Sequence, residues 1–153
     1  MPPARHDDLA LEALLPAELR GQILVRESAR ADRTLGDDPA SVAMRDLLAR
    51  NGRAPSDLVI ATAYSTDPTF GMYVAAFRAT GIDPTALRNL LVEISAAQGP
   101  VEQAEKEVGG KPVLHVTDTP SGLSTYLYTT ADTMFLVETL DPVLAAELLA
   151  SLP

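Results

Sequence analysis

The chain reads as one α+β domain, a largely antiparallel sheet of about six strands with three to four helices on one face. Three observations predict this. First, Asp38-Pro39, Asp83-Pro84 and Asp141-Pro142 are each followed by leucines at helical spacing. An aspartate oxygen caps the first turn of a helix, and proline suits its first position. Second, short runs rich in Val, Ile, Thr and Tyr lie between the helical segments, the composition of strands. Third, these runs come in pairs joined by tight turns, and short connections make antiparallel neighbours.

Taken in order, Asp8 is placed to cap a short helix through Leu11, Leu14 and Leu15 that must end before Pro16. Gly21 opens an extended stretch over 22–28, and a charged loop over 29–37 follows. The helix begun at Asp38 buries Val42, Met44, Leu47 and Leu48, and Asn51-Gly52 stops it. Residues 57–64 read as a strand, Asp67-Pro68 as a turn and 72–79 as the returning strand. On that strand Tyr73, Ala75 and Phe77 share one face, while Met72, Val74, Ala76 and Arg78 share the other. Gly81 ends it. The helix from Asp83 carries Leu87, Leu90, Leu91 and Ile94, and Gly99-Pro100 breaks it.

The segment 101–108 fits either an extended or a helical form. Gly109-Gly110 is a hairpin turn, and 112–117, 125–130 and 133–139 read as three strands. The helix from Asp141 turns Leu144, Leu148, Leu149 and Leu152 inward. The segments 74–94 and 135–152 both run strand, Asp-Pro, leucine-rich helix, the pattern of two related halves. Neither half can cover its own strands. Residues 9–153 are therefore expected to form one core, with 1–8 as a mobile tail.

At 153 residues, 46% hydrophobic and 22% charged, the chain has ordinary globular composition and can build a core without cross-links. It has no cysteine, which removes disulfides, thiolate nucleophiles and cysteine-bound zinc. The net charge is −9. Residues 1–55 hold eight Arg against nine Asp and Glu, and residues 56–153 hold four Lys and Arg against twelve. Such a surface repels phosphate backbones, so no nucleic-acid partner is expected. No apolar run approaches the roughly 20 residues of a membrane span, and 1–8 lack a signal-peptide pattern. The expectation is a soluble protein, cytoplasmic as written and extracytoplasmic if the chain is a trimmed exported domain.

Several motifs follow one another in a set order. They are LEALLPAELRGQIL at 11–24, APSDLVIATAY at 54–64, AAFRATG at 75–81, GGKPV at 109–113, YLYTTADTMFLV at 126–137 and LLASLP at 148–153. In this order they resemble a domain of bacterial exported or lipoprotein-like proteins from high-GC genomes, over nearly the whole chain. That domain has no established activity. The resemblance implies an exported setting and assigns no functional residue.

Site chemistry is sparse. His115 has Asp118 and Ser121 nearby in sequence, which allows a Ser/His/Asp arrangement to be drawn. No G-x-S-x-G elbow accompanies it, and those residues are what a polar turn contains. His115 is expected to be a surface or half-buried strand residue. The pairs Asp7-Asp8 and Asp37-Asp38 diverge as neighbours do, and no metal motif is present. Gly109-Gly110-Lys111 lacks the spacing of a phosphate loop, and Pro112 stands where Ser or Thr is needed. Glu102, Glu105 and Glu107 read as a solvated face. No catalytic, cofactor-binding or metal residue is assigned.

Tyr126 and Tyr128 share a strand face. They either pack in the core or, if that face is open, form a partner surface. The expected function is a non-enzymatic binding or protein-interaction module. The partner would be a second copy or another protein, held on a free sheet face. The alternatives are a small hydrolase-like enzyme using His115 and an acidic regulator that masks a basic partner.

Overall fold

The computed structural model describes residues 3–153. One helical turn, α1 (Leu9–Glu12), is capped by Asp8, whose side chain accepts from the Leu11 N–H at 2.9 Å. A small hairpin of β1 (Glu18–Leu19) and β2 (Gln22–Ile23) turns at Arg20-Gly21, with φ of 51° and 76°. The strand β3 (Val25–Arg30) follows, then α2 (Pro39–Arg50), β4 (Leu58–Tyr64), β5 (Met72–Ala79) and α3 (Pro84–Gln98). The second half runs β6 (Val101–Val108), β7 (Lys111–Asp118), β8 (Ser124–Thr129), β9 (Met134–Thr139) and α4 (Pro142–Ser151).

The three Asp-Pro pairs expected to start helices do so. Asp38, Asp83 and Asp141 accept from the N–H groups of Ser41, Thr85 and Val143 respectively. The segment 101–108 is a strand. It brings the main sheet to seven strands in the order β3-β4-β5-β9-β8-β7-β6, every neighbour antiparallel. The α+β class and the antiparallel sheet are therefore as expected.

The placement of the helices differs from the expectation of a single covered face. Val74 and Ala76 of β5 and Phe135 and Val137 of β9 pack with Leu11, Leu144, Leu148 and Leu149. Their neighbours Ala75, Phe77, Met134 and Leu136 point the other way, to Met44, Leu48, Leu87 and Leu90. Alternate residues face opposite sides of a strand. Hence α1 and α4 cover one face, and α2 and α3 the other. The reason lies in the central strands, which are apolar on both sides and need two covers. The outer strands do not: residues 102–107 of β6 are exposed, so four helices suffice for two faces.

The two similar segments become β5–α3 and β9–α4, adjacent at the centre of the sheet, with their helices sent to opposite faces. The N-terminal segment, expected as a mobile tail, is tied along β3. Ser28 donates its N–H to the Arg5 carbonyl, its carbonyl accepts from the Asp7 N–H, and its hydroxyl accepts from the Asp8 N–H. The first two residues of that tail lie outside the described residues.

Candidate functional site

Three connections meet at one end of the sheet: the β4–β5 loop, the β7–β8 turn and the β9–α4 corner. Each is held by short polar side chains. Asp67 accepts from both the N–H and the hydroxyl of Thr69, at 2.9 and 2.7 Å, and so curls the first loop. In the second, the Ser121 hydroxyl donates to the Asp118 carboxylate, and Gly122 supplies the positive φ that brings its N–H to the Asp118 carbonyl. Thr139, almost fully buried, donates to the Gly71 carbonyl at 2.9 Å and accepts from the Asp141 N–H at 3.1 Å. It thereby fastens the first loop to the third.

The three connections enclose a cleft of about 520 Å³, lined by Phe70, Met72, Tyr73, Leu123, Leu140 and Leu144. Glu138 lies in its wall, and Glu138 and Leu123 also border an adjoining cavity of about 280 Å³ beneath the end of α3. Glu138 pairs in register with Tyr73 on β5 and with Thr125 on β8, so the three share one sheet face. Its nearest hydrogen-bond donor is the Thr125 hydroxyl at 3.5 Å. Among the described residues no cation stands within ion-pair distance of it. Arg20 reaches the cleft, but its guanidinium is engaged by Glu147 at 2.7 Å and by Asp141 at 3.8 Å.

Burial therefore raises the Glu138 carboxyl above the ordinary glutamate value, only partly opposed by the Thr125 hydroxyl. Tyr73 is raised as well, by burial first and by the Glu138 charge second. Chemically, the cleft offers an apolar surface with the aromatic side chains of Phe70 and Tyr73, and a carboxyl, Glu138, with little hydrogen bonding. That set suits binding.

His115 lies elsewhere, on the face carrying α1 and α4. Its ring stacks on Tyr126 with centroids 4.6 Å apart. Its Nε2 lies 2.9 Å from the Ser124 hydroxyl and 3.4 Å from that of Thr117. Burial, and secondarily the charge of Lys106, lower its pKa. The residues expected to join it, Asp118 and Ser121, are bonded to each other in the turn. Among the described residues no carboxylate bonds to the other ring nitrogen, so the orienting third member of a triad is missing.

Tyr126 is 5% exposed, and Tyr128 is half-buried, stacked on Phe135 with its hydroxyl donating to the Pro153 carbonyl. Of the two readings of this pair, core packing or a partner surface, Tyr126 has the burial of the first, while Tyr128 stays partly accessible. Glu102, Glu105 and Glu107 stand exposed on β6. Among the described residues no group of three or more His, Asp and Glu is placed to hold a metal ion.

Sequence reasoning passed over Glu138, Tyr73, Leu123 and Leu140. Glu138 did leave a signal, as the one ionisable residue within the apolar strand β9. Leu140 left another, as an apolar residue where a helix-capping turn is usually polar. No family model matches the sequence, and no curated protein or solved structure shows significant similarity to it.

Proposed function

We propose that the protein is a non-enzymatic binding module that docks a segment of a partner protein in the cleft at the end of its sheet. One observation carries this reading: Leu140, 72% exposed, stands on the lip of the cleft, with Val143, 63% exposed, on the adjoining turn of α4. Isolated exposed leucines need no explanation, but apolar residues grouped at the mouth of an apolar cleft mark an interaction surface. The one histidine–hydroxyl pair on the opposite face lacks the further groups that nucleophilic catalysis uses, which favours binding over turnover.

The test is a selection of displayed random peptides on the wild-type protein, followed by binding to Gly71→Trp. Gly71 lines the cleft, its φ lies outside the left-handed region, and a Cβ there meets nothing within 4 Å, so a large side chain can be introduced at the cleft wall without a clash at its Cβ. Peptides that bind the wild type and lose at least tenfold in affinity on the variant are expected. Peptides that bind both proteins alike would move the docking site elsewhere. A dimer that dissociates on the same substitution would put a second copy of the chain in the cleft. An esterase, peptidase or phosphatase activity lost in His115→Ala would replace the reading altogether.

A further inference from the structure

We infer that the partner segment presents a lysine, whose ammonium meets Glu138 while its aliphatic stem lies against Tyr73, Leu123 and Phe70. The inference rests on the binding-module reading and names what the cleft selects. A carboxyl half-withdrawn from water is costly unless a partner compensates it. Within the described chain Glu138 has only the Thr125 hydroxyl, at 3.5 Å. Arg20, the one cation lining the cleft, is held by Glu147 and Asp141 and does not reach it. A cation brought by the partner would give Glu138 the ion pair that no described residue supplies.

The shape of the site selects lysine. Its walls are apolar along most of their length, and a lysine buries its methylene stem on such walls while its charged head reaches a polar group. Tyr73, 38% exposed, adds a ring face on which a cation is favourably placed. Thr125 occupies one carboxylate oxygen of Glu138. An ammonium is a compact charge that can meet either oxygen from any direction, whereas a guanidinium needs both oxygens free in its own plane. The charge of the surroundings agrees. Asp118 borders the adjoining cavity and Asp141 the cleft itself, and residues 56–153 carry four cations against twelve anions. A basic segment is thus drawn toward this end of the molecule before contact.

The experiment titrates the folded protein with a blocked Leu-Lys-Leu peptide, the same peptide with acetyl-lysine, and n-butylammonium, following backbone amide shifts at Tyr73, Leu123 and Glu138. The lysine peptide should bind at least tenfold more tightly than its acetylated form. Glu138→Gln, which keeps shape and the Thr125 hydrogen bond, should erase that preference, and Gly71→Trp should abolish binding of both peptides. Equal binding of the two peptides to the wild type, lost in Gly71→Trp, would overturn the lysine assignment and leave the docking reading standing. Binding of n-butylammonium without either peptide would make the cleft a small-amine site and overturn both. Absence of binding by all three probes would overturn the lysine assignment, while the peptide selection judges the docking reading separately.

Discussion

Glu12, 5% exposed, has its carboxylate between the Ser28 hydroxyl at 2.7 Å and the His6 ring nitrogen at 2.9 Å. Its charge is answered inside the chain, as buried charges generally are. Glu138 is withdrawn from water with far less in return, and burial raises its pKa. Below the ordinary glutamate value of 4.5 its carboxyl is neutral in the folded and unfolded chain alike and costs nothing. As the pH rises past that value, the unfolded carboxyl ionises freely and the folded one ionises against burial. The folded state therefore loses stability until its own raised pKa is passed. A glutamine carries no such penalty. Urea melts should show Glu138→Gln more stable than the wild type at pH 7, with the gap closing as the pH falls below about 4.5. A variant less stable at neutral pH would mean that the carboxylate has a compensating partner after all.

At the scale of elements, the connection that orients α4 is a close approach of backbones. Gly109 and Gly110 turn β6 into β7 with φ of 59° and 78°, the two left-handed residues of a tight hairpin. The side of that turn lies against α4, so that a Cβ at Gly109 would overlap the Ala146 carbonyl and crowd the Ala150 nitrogen. Both atoms belong to helix backbone and cannot swing aside. Gly109→Ala therefore combines left-handed strain with an overlap, and should cost on the order of 3 kcal/mol in denaturant melts. Gly110→Ala meets nothing within 4 Å and should lose only the conformational part, about 1 kcal/mol. Equal losses at the two positions would show that α4 does not rest on the hairpin. Because α4 begins at the β9–α4 corner, its seating also sets the lip of the cleft.

The whole molecule is a sheet with a guarded edge and an open one. The segment through Arg5 and Asp7 bonds to Ser28 and closes the outer side of β3. On the far side β6 is the last strand and has no neighbour beyond it among the described residues. The two-residue turn makes Val108 and Lys111 a hydrogen-bonded pair. Alternation then directs the backbone groups of Val101, Gln103, Glu105 and Glu107 outward. Glu102, Glu105, Lys106 and Glu107 put charge along this edge, which discourages pairing with another sheet. Hydrogen exchange should follow the same gradient. Amides of β5 and β9, beneath helices on both faces, should exchange slowest, and the outward amides of Gln103, Glu105 and Glu107 fastest within the sheet. Strong protection of those three amides at high protein concentration would reveal a strand partner on β6.

Much of this architecture is written in neighbouring residues. Asp38, Asp83 and Asp141 start helices because a carboxylate and a proline act on the next three residues, and Gly109-Gly110 turns the chain because of its own φ values. Such local chemistry determined the helices, most of the strands and the antiparallel pairing. The tertiary structure decided what depends on residues far apart. The pairing of Val74 with Val137 puts two apolar strands at the centre, so that both faces are covered, and it buries Tyr126 under a helix instead of displaying it. The cleft unites loops around residues 70, 123 and 140, and Glu138 acquires its raised pKa only where those loops exclude water. Burial is a property of the assembled chain, and no short stretch of sequence contains it.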